Sequence, residues 1–291
     1  MVSSYELIQS IVSGLLMGGA YAVLSVGFSL TWGVMKVINI AHCAFAILAA
    51  YISYWLLHFY HIDPLLSLLV IVPLLFLLGV GMHELLIKGA AKRARDISLA
   101  SMVLTFGLAA VLENLMVYFW KPDPRVIKTS YTGGSLFIGN IALPTSGIIS
   151  FALAMATIGV IYFFLHKTYV GKAARAVWQE REGAALSGIN LGRVTAIAYG
   201  VAIAAAGVGG IAMALMYSFD PATHFIWLIY VFLVVIFGGV GSVLGATAAG
   251  LIIGLVVGIS GTFLPFAWVN LVLFVLLIIL LLIRPTGLFQ R

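Results

Sequence analysis

The chain has 291 residues, of which 63% are hydrophobic and only 8% charged, where a soluble domain carries roughly 25% charged residues. That excludes a water-soluble enzyme with a polar shell and a disordered chain; successive apolar runs near the ~20 residues needed to cross hydrocarbon mark a polytopic α-helical membrane protein. The net charge of +6 is the Lys and Arg excess of cytoplasmic loops rather than a nucleic-acid surface, and the single Cys43 excludes an intramolecular disulfide and an all-Cys zinc site.

The start, Met1-Val-Ser-Ser-Tyr-Glu6, carries an acid and no basic residue. A cleaved signal peptide has a basic n-region, so this terminus is expected to be mature. The first apolar stretch runs over about 7–34 and holds Gly14-xxx-Gly18, a spacing that lets helix backbones approach. It gives way at Lys36-Val-Ile-Asn-Ile-Ala-His42 to a second stretch over about 40–60. Asn39 and His42 stand at this break. Polar groups at such helix ends either contact a solute or form a capping and interhelical network. No second His or Cys stands at ligand spacing near His42, so no metal is expected.

The third stretch, about 64–86, ends at His83 and Glu84, read as solvated or snorkelling groups. The fourth, about 98–120, contains Glu113 followed by Asn114. A carboxylate inside a span is a functional hypothesis by default; it either lines a solute path or hydrogen-bonds another helix. Residues 121–146 form an outer loop rich in Pro and Gly. A fifth stretch covers about 147–167 and a sixth about 194–218. Between them, 167–193 form the largest inner segment, with a short helix predicted over about 172–187 and Gly188 placed to stop it. Its mix of Ala174, Val177, Ala184, Ala185 and Leu186 with charged residues suits docking on a soluble partner, or a solvated loop helix.

Asp220-Pro is expected to open an outer turn. Stretches over about 227–241 and 243–259 are two short crossings or one broken helix, because Gly238, Gly239 and Gly241 lie between them. The glycine run there lacks the Gly-Lys-Ser/Thr ending of a phosphate loop. Gly250, Gly254 and Gly258 form a small-xxx-small ridge for helix packing. The last stretch covers about 266–283. Trp55, Trp120, Trp227 and Trp268 fall near predicted outer boundaries, as interfacial anchors do.

Setting Arg284 and Arg291 in the cytoplasm and alternating backwards places Lys36, Lys88, Lys92, Arg93, Arg95, Lys167, Lys172, Arg175, Arg181 and Arg193 inside as well. Lys121, Arg125 and Lys128 fall outside. The expected fold is all-α: one transmembrane helical bundle over 1–291, about 8–9 spans, N-terminus outside and C-terminus inside. Neither a His-rich metal cluster nor a Ser/His motif supports an intramembrane enzyme.

Glu180-Arg-Glu-Gly-Ala-Ala-Leu-Ser-Gly-Ile-Asn190 resembles the cytoplasmic coupling segment of ATP-binding-cassette importer permeases. Five more elements follow one family's order: Gly18-Gly-Ala-Tyr-Ala-Val-Leu-Ser-Val-Gly27, Val37-Ile-Asn-Ile-Ala-His42, Leu104-Thr-Phe-Gly-Leu-Ala-Ala-Val-Leu-Glu-Asn114, Phe237-Gly-Gly-Val-Gly-Ser-Val-Leu-Gly245, and Arg284-Pro-Thr-Gly-Leu-Phe289. The chain is similar over nearly its full length to the LivH-type permeases of branched-chain amino acid importers. The resemblance implies a second homologous permease chain, two ATPase subunits, a periplasmic solute-binding protein and a bacterial inner membrane. ATP would be used by the partner subunits, with no cofactor in this chain. Arg175, Glu180, Glu182, Gly188 and Asn190 would form the ATPase-docking segment, and Asn39, His42, Glu113 and Asn114 the substrate pathway. The family often continues Asn-x-Ala-His with Gly-Glu; this chain has Cys43-Ala44, so the solute could differ from the usual branched-chain amino acids. A stand-alone channel or secondary transporter for a small polar solute is the alternative.

Overall fold

The computed structural model describes residues 4–139 and 141–289. The expectations placed on residues 1–3 and on Arg291 lie outside the described residues. The architecture is an all-α bundle with one small hairpin. Seven helices among the described residues are long and apolar enough to cross a membrane, and two further apolar helices, Thr223–Gly238 and Trp268–Ile283, are shorter.

Helix α1 (Ser4–Met35) ends where Lys36 turns left-handed, at φ 56°. After an irregular segment come α2 (His42–Tyr60) and α3 (Pro64–Met82). Asp63 caps α3 by accepting from Leu65 N at 2.8 Å, with Pro64 at the first helical position. The third span continues through a π turn, His83–Ile87, into α4 (Lys88–Arg93). Its buried side is Ser67, Ile71, Leu75, Gly79, His83 and Ile87. A spacing of four overshoots the 3.6-residue turn, and the wider π turn takes up part of the difference. His83 is therefore only 4% exposed, which corrects its reading as a solvated group. Glu84 is at the surface and pairs with Lys88.

Helix α5 (Ile97–Trp120) is capped by Asp96 and buries only a narrow side, Ser101, Thr105, Ala109 and Met116. The loop after it contains an antiparallel hairpin, β1 (Ser135–Ile138) with β2 (Ile141–Pro144), that was not expected from the sequence. The loop is pinned at three points. Arg125 and Phe219 exchange backbone hydrogen bonds of 2.8 and 3.0 Å. The Arg125 guanidinium sits over the Tyr54 and Trp55 rings, and Tyr131 donates to Asp63 at 3.1 Å. Burial pushes the Tyr131 phenol up to about 12.

Helix α6 (Thr145–Lys167) leads to two short helices, α7 (Tyr169–Gln179) and α8 (Arg181–Leu186). The expected single helix is broken because Glu180 is extended and its carboxylate accepts from Glu182 N, capping α8. Helix α9 (Leu191–Met216) is the centre of the bundle, with 89% of its apolar window buried. Its Gly and Ala residues let α1, α2, α3 and α6 approach: a Cβ added at Gly210 would lie 2.0 Å from the Ala46 carbonyl oxygen of α2.

Helices α10 (Thr223–Gly238) and α11 (Val243–Phe263) are a hairpin rather than one broken helix. Tyr230 stacks on Tyr21 of α1 at 4.8 Å, and Gly250 lies against the neighbouring Ala22, so both helices rise from the turn side by side. The turn needs glycine at Gly239 (φ 93°) and Gly241 (φ 85°). Gly254 and Gly258 pack on Gly14 and Ser10 of α1, and a Cβ at Gly254 would meet the Gly14 oxygen at 2.4 Å. The last helix, α12 (Phe266–Ile283), is followed by a tail whose Leu288 N donates to Phe237 O at 2.9 Å. Two motifs far apart in sequence, around Phe237 and around Gly287, therefore meet at one turn.

Candidate functional site

The segment 36–41 between α1 and α2 is the most irregular stretch of the buried core. It does not continue away from α1 but doubles back along it. The His42 ring nitrogen Nε2 lies 3.0 Å from Leu24 O, and its ring packs edge-on to Phe28 at 5.5 Å. Leu24 is eleven residues before the end of α1, so α2 starts about 16 Å along the helix from that end. Helix α5 holds the segment through two hydroxyls. Ser101 Oγ accepts from Ile38 N at 3.1 Å; Thr105 Oγ1 accepts from Ile40 N at 2.9 Å and donates to Ile38 O at 3.2 Å. These bonds replace the ladder that a helix would have supplied.

Asn39, in the middle of the segment, is fully buried and neither its Oδ1 nor its Nδ2 has a hydrogen-bond partner. The Tyr199 hydroxyl of α9 lies beside it, also buried and without a bond of normal geometry. The His83 ring lies 6.1 Å from the Tyr199 ring, and its Nδ1 is 3.5 Å from Glu84. Asn39 and His42, singled out in the sequence, thus share one neighbourhood. Tyr199 was missed because a tyrosine in an apolar helix reads as core. Ser101 and Thr105 carried a usable signal: two hydroxyls four apart on one side of an apolar helix.

Glu113 and Asn114 are elsewhere. Glu113 lies two turns beyond Thr105, about 12 Å along α5, and its Oε2 is 3.1 Å from His224 Nε2 at the start of α10. The His224 side chain is fully buried and the Glu113 side chain 26% exposed. Asn114 is exposed and donates to Ala110 O. The structure therefore sorts the four pathway candidates into two pairs, Asn39 with His42 and Glu113 with Asn114, apart from one another along the bundle.

In segment 167–193, Glu180 and Glu182 are exposed, Gly188 takes φ 82° just past α8, and Asn190 caps α9 by accepting from Arg193 N at 3.0 Å. Leu186 is 90% exposed. Arg175 faces the other way, into a cavity of about 200 Å³ lined also by Ser29, His166, Trp178 and Ser242. Trp178 lies on the Gly241 turn: a Cβ there would meet its ring at 2.7 Å. Helix α7 is thus in direct contact with the turn between α10 and α11. Among the described residues, no three His, Cys, Asp or Glu side chains are placed to hold a metal ion.

The arrangement has full-length relatives. The family model described as "Branched-chain amino acid transport system / permease component" matches residues 10–282. The high-affinity branched-chain amino acid transport system permease protein BraD of Pseudomonas aeruginosa is 26% identical, covering 100% of this chain and 98% of its own length. LivH of Escherichia coli strain K12, described in the same words, is 24% identical over 98% of this chain and 96% of its own. A probable branched-chain amino acid transport permease protein LivH of Methanocaldococcus jannaschii is 28% identical over 80% of this chain and 74% of its own. No solved structure matches significantly. With the family model running from the first helix to the last, the chain belongs to the branched-chain amino acid transport system permease component family.

Proposed function

We propose that this chain is the membrane-spanning subunit of an ATP-binding-cassette importer and moves a small polar solute of the amino acid class into the cell by alternating access. The observation that carries the reading is the buried polar break at Asn39, set among α1, α5 and α9 of an otherwise apolar bundle. Discontinuous helices with unsatisfied polar groups are where membrane transporters hold their solutes. Branched-chain amino acids, named for the relatives, are the first solutes to test. The resemblance would put Gly-Glu after His42 where this chain has Cys43-Ala44, so other small polar solutes belong in the same screen.

In this reading the chain sits in the bacterial inner membrane beside a second homologous permease, N-terminus outside and C-terminus inside. Two ATPase subunits dock on α7–α8 and use the ATP, and a periplasmic binding protein delivers the solute to the face carrying the hairpin. The contact of Trp178 with the Gly241 turn supplies a route by which ATPase closure reaches the membrane helices. Glu182 is exposed on α8, and replacing it with Arg reverses a charge on the docking surface without disturbing the core.

Two measurements test the assignment. Affinity purification of the tagged chain from native membranes in gentle detergent is expected to bring down P-loop ATPases and a second permease, identified by mass. Recovery of the chain alone would favour a stand-alone channel or secondary transporter, to be followed by flux without ATP. The Glu182→Arg variant is expected to stay folded and lose at least tenfold in solute-stimulated ATP hydrolysis. Unchanged coupled hydrolysis would remove α8 from the docking surface.

A further inference from the structure

Three side chains from three separate elements come together around Tyr199 of α9: Asn39 from the irregular segment lies beside its hydroxyl, and the His83 ring from the π turn lies 6.1 Å from its ring. They are 0%, 0% and 4% exposed, and four of their polar atoms, Asn39 Oδ1 and Nδ2, Tyr199 Oη and His83 Nδ1, make no hydrogen bond of normal geometry, the Tyr199 hydroxyl lying against the Asn39 side chain and His83 Nδ1 at 3.5 Å from Glu84. The closest acid is Glu84, 3.5 Å from His83 Nδ1 and itself paired with Lys88. Buried polar groups are ordinarily bonded, and each exception needs a reason. Packing does not supply one here, because apolar side chains of the same shape would fill the space without the cost of unpaired polar atoms.

The backbone on two sides of the cluster is also unusual. Segment 36–41 has no helical ladder and is held by the hydroxyls of Ser101 and Thr105. His83 begins a π turn, a feature that recurs at functional sites. The third side is the most buried helix of the bundle. Two deformable walls thus face one fixed wall, and unbonded donors and acceptors fill the space between them.

We propose that Asn39, His83 and Tyr199 form a polar constriction on the solute path, closed in this structure, which opens when segment 36–41 and the π turn move against α9. The proposal rests on the importer reading and adds to it where the inner closure lies and what passes it. Asn39 and Tyr199 present donors and acceptors without charge, and the one carboxylate nearby is neutralised by Lys88. The constriction therefore suits a neutral or zwitterionic solute with both donor and acceptor groups, not an inorganic ion.

The test uses the assembled importer with its ATPases and binding protein in proteoliposomes. Tyr199→Phe keeps the ring and removes only the hydroxyl, which makes no bond of normal geometry. It is expected to leave the thermal midpoint of the complex unchanged or raised, while uptake of radiolabelled leucine falls at least tenfold. A second variant reads the path without a solute. Tyr199→Cys is treated with a small methanethiosulfonate, the unmodified chain giving the baseline because its single Cys43 is buried. Labelling is expected to differ at least tenfold between the nucleotide-free and vanadate-trapped complexes. Unchanged leucine uptake by Tyr199→Phe, or a Tyr199→Cys that stays at baseline in both states, would overturn the constriction. Failure of the importer reading shows separately, as no ATPase recovered with the unmodified chain and no ATP-driven uptake by it.

Discussion

Single atoms decide much of the packing between α1 and α11. A Cβ at Gly254 would lie 2.4 Å from the Gly14 oxygen and 2.5 Å from the Gly18 Cα. Both are backbone atoms, so a side chain there forces the helices apart instead of displacing a rotamer. Overpacking of this kind costs about 1–3 kcal/mol. Gly254→Val is expected to lower the melting midpoint of the detergent-purified chain by several degrees. Gly159 on α6 is the internal contrast, since an added Cβ meets nothing within 4 Å. Gly159→Ala is expected to raise stability by about 0.5–1 kcal/mol. Equal midpoints for the two variants would mean that the close approach of α1 and α11 does not limit stability. The ridge Gly250-xxx-Gly254-xxx-Gly258 was legible from spacing alone. Which helix it met was not, because contact partners so distant in sequence leave no local pattern.

At the scale of elements, the irregular segment depends on α5. Thr105 serves two backbone groups, Ile40 N and Ile38 O. Thr105→Val keeps the shape and removes both bonds, at about 1–3 kcal/mol for each buried group left unsatisfied. Hydrogen exchange over 37–41 is expected to rise, with the amides of α9 unchanged as the reference. Protection of 37–41 equal to that of the parent chain would show that the hydroxyl does not pin the segment. The break itself was readable, because Asn39 and His42 interrupt an apolar run. So was the α10–α11 turn, from its glycines. The hairpin was not: Leu136, Phe137 and Ile138 are all exposed and carry no alternation of apolar and polar residues. His83 reads as solvated because it stands beside Glu84 at the end of an apolar stretch; the structure puts it on the buried side with Ser67, Ile71, Leu75 and Gly79. Tyr199 and His224 became legible only as partners of Asn39 and Glu113.

For the molecule as a whole, the family and the all-helical bundle were both readable from composition and motif order, and the family model bears out the resemblance. Orientation is a matter for labelling. Gly133 on the loop after α5 and Ser187 after α8 are both exposed. Cysteines placed there are expected to react oppositely with an impermeant reagent, Gly133→Cys in intact cells and Ser187→Cys only after the inner membrane is opened. The reverse order would invert the topology drawn from the Lys and Arg distribution.

The burial of α9 has a consequence for how the protein is made. Four of the helices that surround it, α1, α2, α3 and α6, precede it in the chain. Synthesis proceeds at about 5–20 residues per second, so α9 follows α3 out of the ribosome by on the order of ten seconds. Over that interval the earlier helices lack the glycine surface of α9 against which Leu24, Leu75 and Phe76 finally pack. Helix α9 is apolar enough to enter the membrane unaided, with a mean hydropathy of 1.9 over its best window, yet too small-sided to cover itself once there. Nascent chains arrested before Leu191 should therefore be inserted but unfinished, prone to membrane proteases and to lipid in place of α9. Emergence of this one helix turns a set of inserted spans into a protein.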